Sequence, residues 1–239
     1  LLGRLVRLPL KLIPASAKMQ IRQGPLKGRL WIAGSHTHGC WLGSYELDKQ
    51  MLFAKHCKPG MVVLDIGANV GFYSLLAAHL VGSTGKVEAF EPVPRNLRYL
   101  REHVRINTLE NTRVHAVAVG EAPGEITFDD TTGSATGKIS ARGRLKVPLV
   151  SVDALLGQGT IKTPDLMKID VEGAEAMVLR GAARTIAEAA ARGRRPIIFL
   201  ATHGPEVHAE CLTILRGLGY AVSSTDGRDV EATDEMLCI

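Results

Sequence analysis

Five residues in the first 91 positions have types and a spacing suited to holding a nucleoside. The segment Asp65-Ile66-Gly67-Ala68-Asn69-Val70-Gly71-Phe72 follows a short apolar run. A glycine-rich turn between a strand and a helix lets a ligand approach the backbone closely. Glu91 lies 20 residues beyond Gly71, in Phe90-Glu91-Pro92. At the end of a neighbouring parallel strand its carboxylate stands beside that turn and can accept both hydroxyls of a ribose. A dinucleotide site asks for G-x-G-x-x-G, with a pyrophosphate on a helix N-terminus. The order here is Gly67-x-Asn69-x-Gly71, which does not fit. S-adenosylmethionine has a ribose and no phosphate. Asp65, Gly67, Asn69, Gly71 and Glu91 supply what it needs: a carboxylate for the diol, a tight turn for the methionyl part, and polar groups for its charged ends. Taken alone, the glycines are also explained as nothing more than a tight turn.

A second group lies further on. Methyl transfer from a sulfonium has an excellent leaving group, so a protein must align the acceptor and, for an alcohol, remove its proton. Alignment supplies up to roughly 7–11 kcal/mol, and a general base about 10²–10⁴-fold. Asp170 is expected to end the fourth strand, where it orients the methionyl amino group or the acceptor hydroxyl. His203 follows the fifth strand and titrates near neutral pH, which makes it the preferred base. Glu172 and Glu175 open the next helix. Charge complementing the helix dipole accounts for Glu175; Glu172 is divided between that role and a catalytic one. His36-Thr37-His38-Gly39-Cys40 lacks zinc spacing and a second ligand pair. Asp170 has no neighbouring Asp to complete a magnesium set. No metal is expected.

The elements that must place these residues can be read from periodicity. Strands are predicted at Met61 to Ile66, Lys86 to Phe90 and Arg113 to Val119, with helices at Phe72 to Val81 and Arg95 to Ile106. That alternation implies a parallel sheet with right-handed crossovers. Strands at Glu125 to Phe128 and Val147 to Val152 then interrupt it, with a loop at Asp129 to Gly137 expected to border the acceptor pocket. The rhythm resumes with a strand at Leu166 to Asp170, a helical region at Ala174 to Ala191 and a strand at Ile197 to Ala201. A helix around Glu206 to Arg216 and strands at Tyr220 to Ser223 and Met236 to Ile239 complete it. Residues 1–57 form an N-terminal extension packing on the core, and 58–239 the main domain.

Composition narrows the classes. The chain has 239 residues, 46% hydrophobic and 22% charged, the usage of an ordinary globular domain. The net charge of +5 is spread out, so no nucleic-acid partner is expected. Four scattered cysteines, Cys40, Cys57, Cys211 and Cys238, read as reduced thiols of a cytoplasmic protein. Leu1 to Ile13 alternates apolar and basic residues without the apolar core of a signal peptide. It is expected to pack on the domain, with at most weak peripheral membrane contact. The sequence opens on Leu1, which leaves an upstream segment an open reading.

The segments Val62 to Ser74, Ala89 to Leu97, Ala116 to Gly120 and Lys168-Ile169-Asp170-Val171-Glu172-Gly173-Ala174-Glu175 resemble the FkbM family of methyltransferases. The resemblance spans about residues 40 to 222. It implies a class I methyltransferase fold: a Rossmann-like α/β domain whose seven-stranded, mostly parallel sheet has helices on both faces. The extension and a β insertion between the third and fourth strands are added to it. It implies methyl transfer from S-adenosylmethionine, commonly to a hydroxyl of a small molecule or sugar. It places the cofactor on the turn, including Ala68 and Phe72, on Glu91 with Pro92, and on Ala118 and Val119 near the adenine. Trp41 to Glu46 resembles the family's lead-in over the pocket, which adds Glu46. Many relatives carry an acidic residue near the fifth strand's end, where this chain has Ala201-Thr202-His203. Two other readings stand beside this one: a nicotinamide-dependent oxidoreductase, and a non-catalytic cofactor-binding partner protein.

Overall fold

The computed structural model describes residues 12–129, 138–139 and 145–239. Most of Leu1 to Ile13 and of the Asp129 to Gly137 loop lies outside the described residues. The lead-in contains β1 (Lys18–Gln20), β2 (Leu30–Ile32), α1 (His38–Leu42) and α2 (Leu47–His56). The core then alternates β3 (Val62–Ile66), α3 (Phe72–Val81), β4 (Lys86–Phe90), α4 (Pro94–Ile106) and β5 (Thr112–His115). A second sheet follows from β6 (Ala118–Val119), β7 (Gly124–Asp129), β8 (Lys138–Ile139) and β9 (Leu145–Val150). The chain finishes with α5 (Val152–Gly157), β10 (Leu166–Ile169), α6 (Glu175–Arg180), α7 (Ala183–Ala191), β11 (Ile197–Ala201), α8 (Pro205–Gly217), β12 (Val222–Ser224) and β13 (Glu235–Cys238).

The main sheet has seven strands in the order β12-β13-β11-β10-β3-β4-β5. Only β13 runs antiparallel to its neighbours, β11 and β12. Helices cover both faces, so the central strands β3 and β10 are buried and mostly apolar, as in parallel sheets, with Asp65 and Lys168 as their charged exceptions. Val63, Leu64 and Ile66 of β3 and all of β10 are buried. Helix α3 is buried on nearly every side. Helix α4 is amphipathic, hiding Asn96, Leu97, Leu100 and His103 and turning its arginines outward.

Three elements differ from the pattern in the sequence. The third strand divides: β5 stays in the main sheet, while β6 pairs in parallel with β9 of the insertion. The helical region 174–191 also divides, into α6 and α7. A Cβ on Gly181 would lie 2.0 Å from the carbonyl oxygen of Gly120, so the backbone just past β6 presses on the break. Helix α5 was hidden by the apolar run before it; the Ser151 side chain caps it, accepting the N–H of Ala154 at 3.2 Å.

Several side chains tie the lead-in to the core, among them Asn107, whose amide bonds both backbone groups of Leu30, and His103. His103 of α4 is buried and stacked on Trp31 at 3.9 Å. Its Nε2 accepts the N–H of Ile32 at 3.1 Å, which leaves Nδ1 to donate to the Val70 carbonyl at 2.7 Å. Burial holds this imidazole neutral, with its pKa lowered to about 4.

Candidate functional site

The glycine turn winds through three left-handed residues, with φ of +79° at Gly67, +51° at Asn69 and +96° at Gly71. At Gly67 a Cβ would sit 1.8 Å from the Asp170 carbonyl oxygen. Only glycine therefore permits β3 and β10 to end side by side here. At Gly71 a Cβ would meet Leu100 Cδ1 at 2.6 Å, so that glycine admits α4. The N–H groups of Gly67 and Ala68 donate to the Phe90 carbonyl at 3.1 and 2.9 Å, binding the turn to the end of β4.

Glu91 faces this turn. Its Oε2 accepts the Asn69 N–H and its Oε1 the Val93 N–H, each at 2.8 Å. Burial pushes its carboxyl up to about 6, against the pull of those two hydrogen bonds. Beside it opens a cavity of about 280 Å³. Gly67, Asn69, Glu91 and Pro92 line it at one part of the wall, and Val117, Ala118, Val119, Ile126 and Leu149 supply apolar surface. Ile126 and Leu149 come from the insertion, on β7 and β9. Tyr45 and Glu46, from the lead-in, line it too. Tyr73 donates its hydroxyl hydrogen to Glu46 Oε2 at 2.8 Å, and Lys49 bridges from Glu46, 3.6 Å away, to Glu235 at 2.5 Å.

The ends of β10 and β11 bring the second group together. Asp170, Glu172 and His203 all line the cavity. His203 Nδ1 is 2.9 Å from Glu175 Oε1. Glu175 has no solvent exposure and also accepts the N–H groups of Val171 and Gly173 at 3.2 and 3.0 Å. Since Glu175 is acceptor to all three, its bond fixes the proton of His203 on Nδ1. That bond raises the His203 pKa above its usual value, outweighing burial. Beneath the floor, Lys168 donates from Nζ to the Gly67 carbonyl at 3.0 Å and faces Asp170 Oδ2 at 3.2 Å and Asp65 Oδ1 at 3.7 Å. Burial acts to neutralise this ammonium, but the two carboxylates outweigh it and raise its pKa.

Of the residues expected at the site, Gly67, Asn69, Glu91, Pro92, Ala118, Val119, Glu46, Asp170, Glu172 and His203 border the cavity. Ala68 and Phe72 border a smaller hollow that adjoins it at Asn69 and Asp170. Asp65 and Gly71 border neither. Asp65 lies under the turn, where Ser74 Oγ donates to its Oδ2 at 2.5 Å, and it supports the floor instead of lining the cleft. Glu175 does more than complement a helix dipole, because it orients His203. Lys168, Tyr45, His36 and Glu235 were missed. His36 lines the cavity with its Nδ1 3.6 Å from Cys40 Sγ, while His38 Nδ1 accepts the Trp41 indole N–H at 3.2 Å.

The buried carboxylate at the turn, the apolar wall and the open cleft fit an adenosine-containing group with no phosphate. Comparison with known proteins points the same way. The profile described as the methyltransferase FkbM domain matches residues 65–222, more than half of the chain. The hexuronic acid methyltransferase AglP of Haloferax volcanii is 28% identical over 139 residues, which cover 57% of this chain and 56% of that protein. The 2-O-methyltransferase NoeI of Sinorhizobium fredii is 26% identical over 149 residues, 54% of this chain and 60% of that one. The chain thus spans little more than half the length of these relatives. The crystal structure of methyltransferase FkbM from Methylobacillus flagellatus superposes with a TM-score of 0.54 at 18% identity, covering 75% of this chain and 43% of that one, and shares the fold.

Proposed function

The chain belongs to the FkbM methyltransferase family, and from that premise we propose that it moves a methyl group to a hydroxyl oxygen of a small molecule or sugar. S-adenosylmethionine is the methyl donor; when bound, it supplies an electrophilic methyl carbon on a sulfonium. Glu91 holds the ribose diol, Gly67 and Asn69 border the methionyl part, and Ala118 and Val119 pack on the adenine. Asp170, Glu172 and His203 receive the acceptor hydroxyl and its proton. A wider hollow of about 770 Å³ shares Thr202, His203 and Asp234 with the first and gives the acceptor its approach. The insertion strands that lend Ile126 and Leu149 support an acceptor role for the loop between them.

The observation that carries this reading is the Glu91 carboxylate turned onto the glycine bend at 2.8 Å. No helix among the described residues is long and apolar enough to cross a membrane, and the four cysteines are free and buried, which supports a reducing, cytoplasmic setting. The test is calorimetric titration with S-adenosylhomocysteine and separately with NAD, followed by methyl-labelled turnover on a panel of sugars. Binding of the first and a labelled methyl ether are expected. Binding of NAD alone would establish the oxidoreductase reading, and cofactor binding without any turnover would favour the non-catalytic one.

A further inference from the structure

Three side chains from two strand ends leave a gap between them. His203 Nε2 stands 3.7 Å from Asp170 Oδ1 and 3.7 Å from Glu172 Oε2. One ligand atom from each residue lies within 4.8 Å of the other two. A separation of 3.7 Å is too long for a hydrogen bond. A metal ion with bonds of roughly 2.0–2.2 Å to nitrogen and oxygen bridges it at an open angle.

The atoms behind the gap are arranged for the same occupant. Glu175 keeps the proton of His203 on Nδ1, so the Nε2 lone pair points at Asp170 and Glu172. A carboxylate behind the remote ring nitrogen is what orients a metal-ligating histidine. Lys168 engages Asp170 through Oδ2 and leaves Oδ1 toward His203. The cavity wall adds charge. Its described residues include six carboxylates, Glu46, Glu91, Asp170, Glu172, Asp234 and Glu235, and no lysine or arginine. Lys49, Lys168 and Arg228, outside the wall, pair with Glu46, Glu235, Asp170 and Asp234, and still leave carboxylates in excess of cations, which a dication offsets.

We propose that Asp170, Glu172 and His203 bind one divalent cation whose remaining positions face the cavity and take oxygens of a polyhydroxylated acceptor. The acceptor part rests on the methyl-transfer reading; the ion site does not. Imidazole with two carboxylates suits manganese or zinc better than calcium. The proposal assigns the Nε2 lone pair to the ion, so with the ion bound the cluster receives the acceptor through the metal and His203 serves as a ligand instead of as the base. The sequence offered these three as catalytic candidates and not as ligands, because His203 lies 31 positions beyond Glu172 and the three follow no common metal-ligand spacing.

The test is titration of the purified chain with Mn²⁺, read by electron paramagnetic resonance, with and without S-adenosylhomocysteine. One ion per chain is expected. Glu172→Gln and the isosteric Asp170→Asn should each weaken binding at least about tenfold, and Glu175→Gln, which removes no ligand, by about 10–100-fold. Thermal melts identify folded variants. No stoichiometric Mn²⁺ binding, or binding unchanged in the folded variants, overturns the proposal. If Mn²⁺ binds and S-adenosylhomocysteine does not, the methyl-transfer reading fails and the ion site stands.

Discussion

Glu91, just past the end of β4, accepts the backbone N–H of Asn69 at 2.8 Å, so one carboxylate serves both the second core strand and the turn that follows the first. Hydrogen bonds to a charged group contribute roughly 1.5–3 kcal/mol each. Glu91→Ala should therefore weaken S-adenosylhomocysteine binding by about 10–100-fold. Calorimetry on the folded variant decides it; unchanged affinity would remove Glu91 from the cofactor site.

The same carboxyl predicts a pH dependence. Its pKa is raised from the usual 4.5 to about 6 by burial, so the ionised form dominates only above that value. On the proposed function, ionised Glu91 is the form that accepts two ribose hydroxyls. Cofactor affinity should be full at neutral pH and fall as pH drops through about 6, by up to about tenfold per unit below it. Glu91→Gln should flatten this limb. A wild-type affinity constant from pH 7.5 to 5 would contradict the assignment.

Gly67→Ala tests the close approach of β3 and β10. The new Cβ would lie 1.8 Å from a backbone oxygen, at a φ of +79°. Strain and overpacking together should cost about 3 kcal/mol or more. A thermal melt should show a drop of many degrees, whereas Gly124→Ala, with open space at its Cβ, should melt close to wild type.

Lys168→Met would leave Asp65 buried without its countercharge. Breaking a buried ion pair from one side costs about 3–5 kcal/mol. Adding Asp65→Asn should restore part of that loss. Chemical denaturation of the two single variants and the double variant gives the coupling; strictly additive losses would show that the two side chains act independently.

His103 predicts acid sensitivity of the lead-in. Its pKa falls from 6.5 to about 4 in the folded protein, so the unfolded chain takes up the proton first. Its contribution is complete above pH 6.5 and is lost as pH falls toward 4, up to about 3 kcal/mol. Wild type should lose stability over that window, and His103→Gln should lose less over it. Parallel melting curves for the two would refute the account.

The strands and helices around the turn were legible because each is a short apolar run ended by glycine or a charged residue, as at Ile66 and Val81. Glu91 was legible because a carboxylate closing a parallel strand has one place to go. Lys168 was not. It pairs in register with Asp65, 103 residues earlier, and nothing local says that a lysine on β10 is buried. Glu175 was misjudged for the same reason, since its partner His203 arrives 28 residues later from another strand. The split of the third strand was hidden because Ala116 to Val119 is apolar whichever sheet it joins.

The contact between Gly67 and the Asp170 carbonyl fixes the spacing of two strand ends with main-chain atoms alone. Side chains around the cleft can drift while that distance holds. On the proposed function, a protein built this way could change what it modifies without recalibrating how far the two reacting partners stand apart, and Gly67 is a position at which that freedom stops.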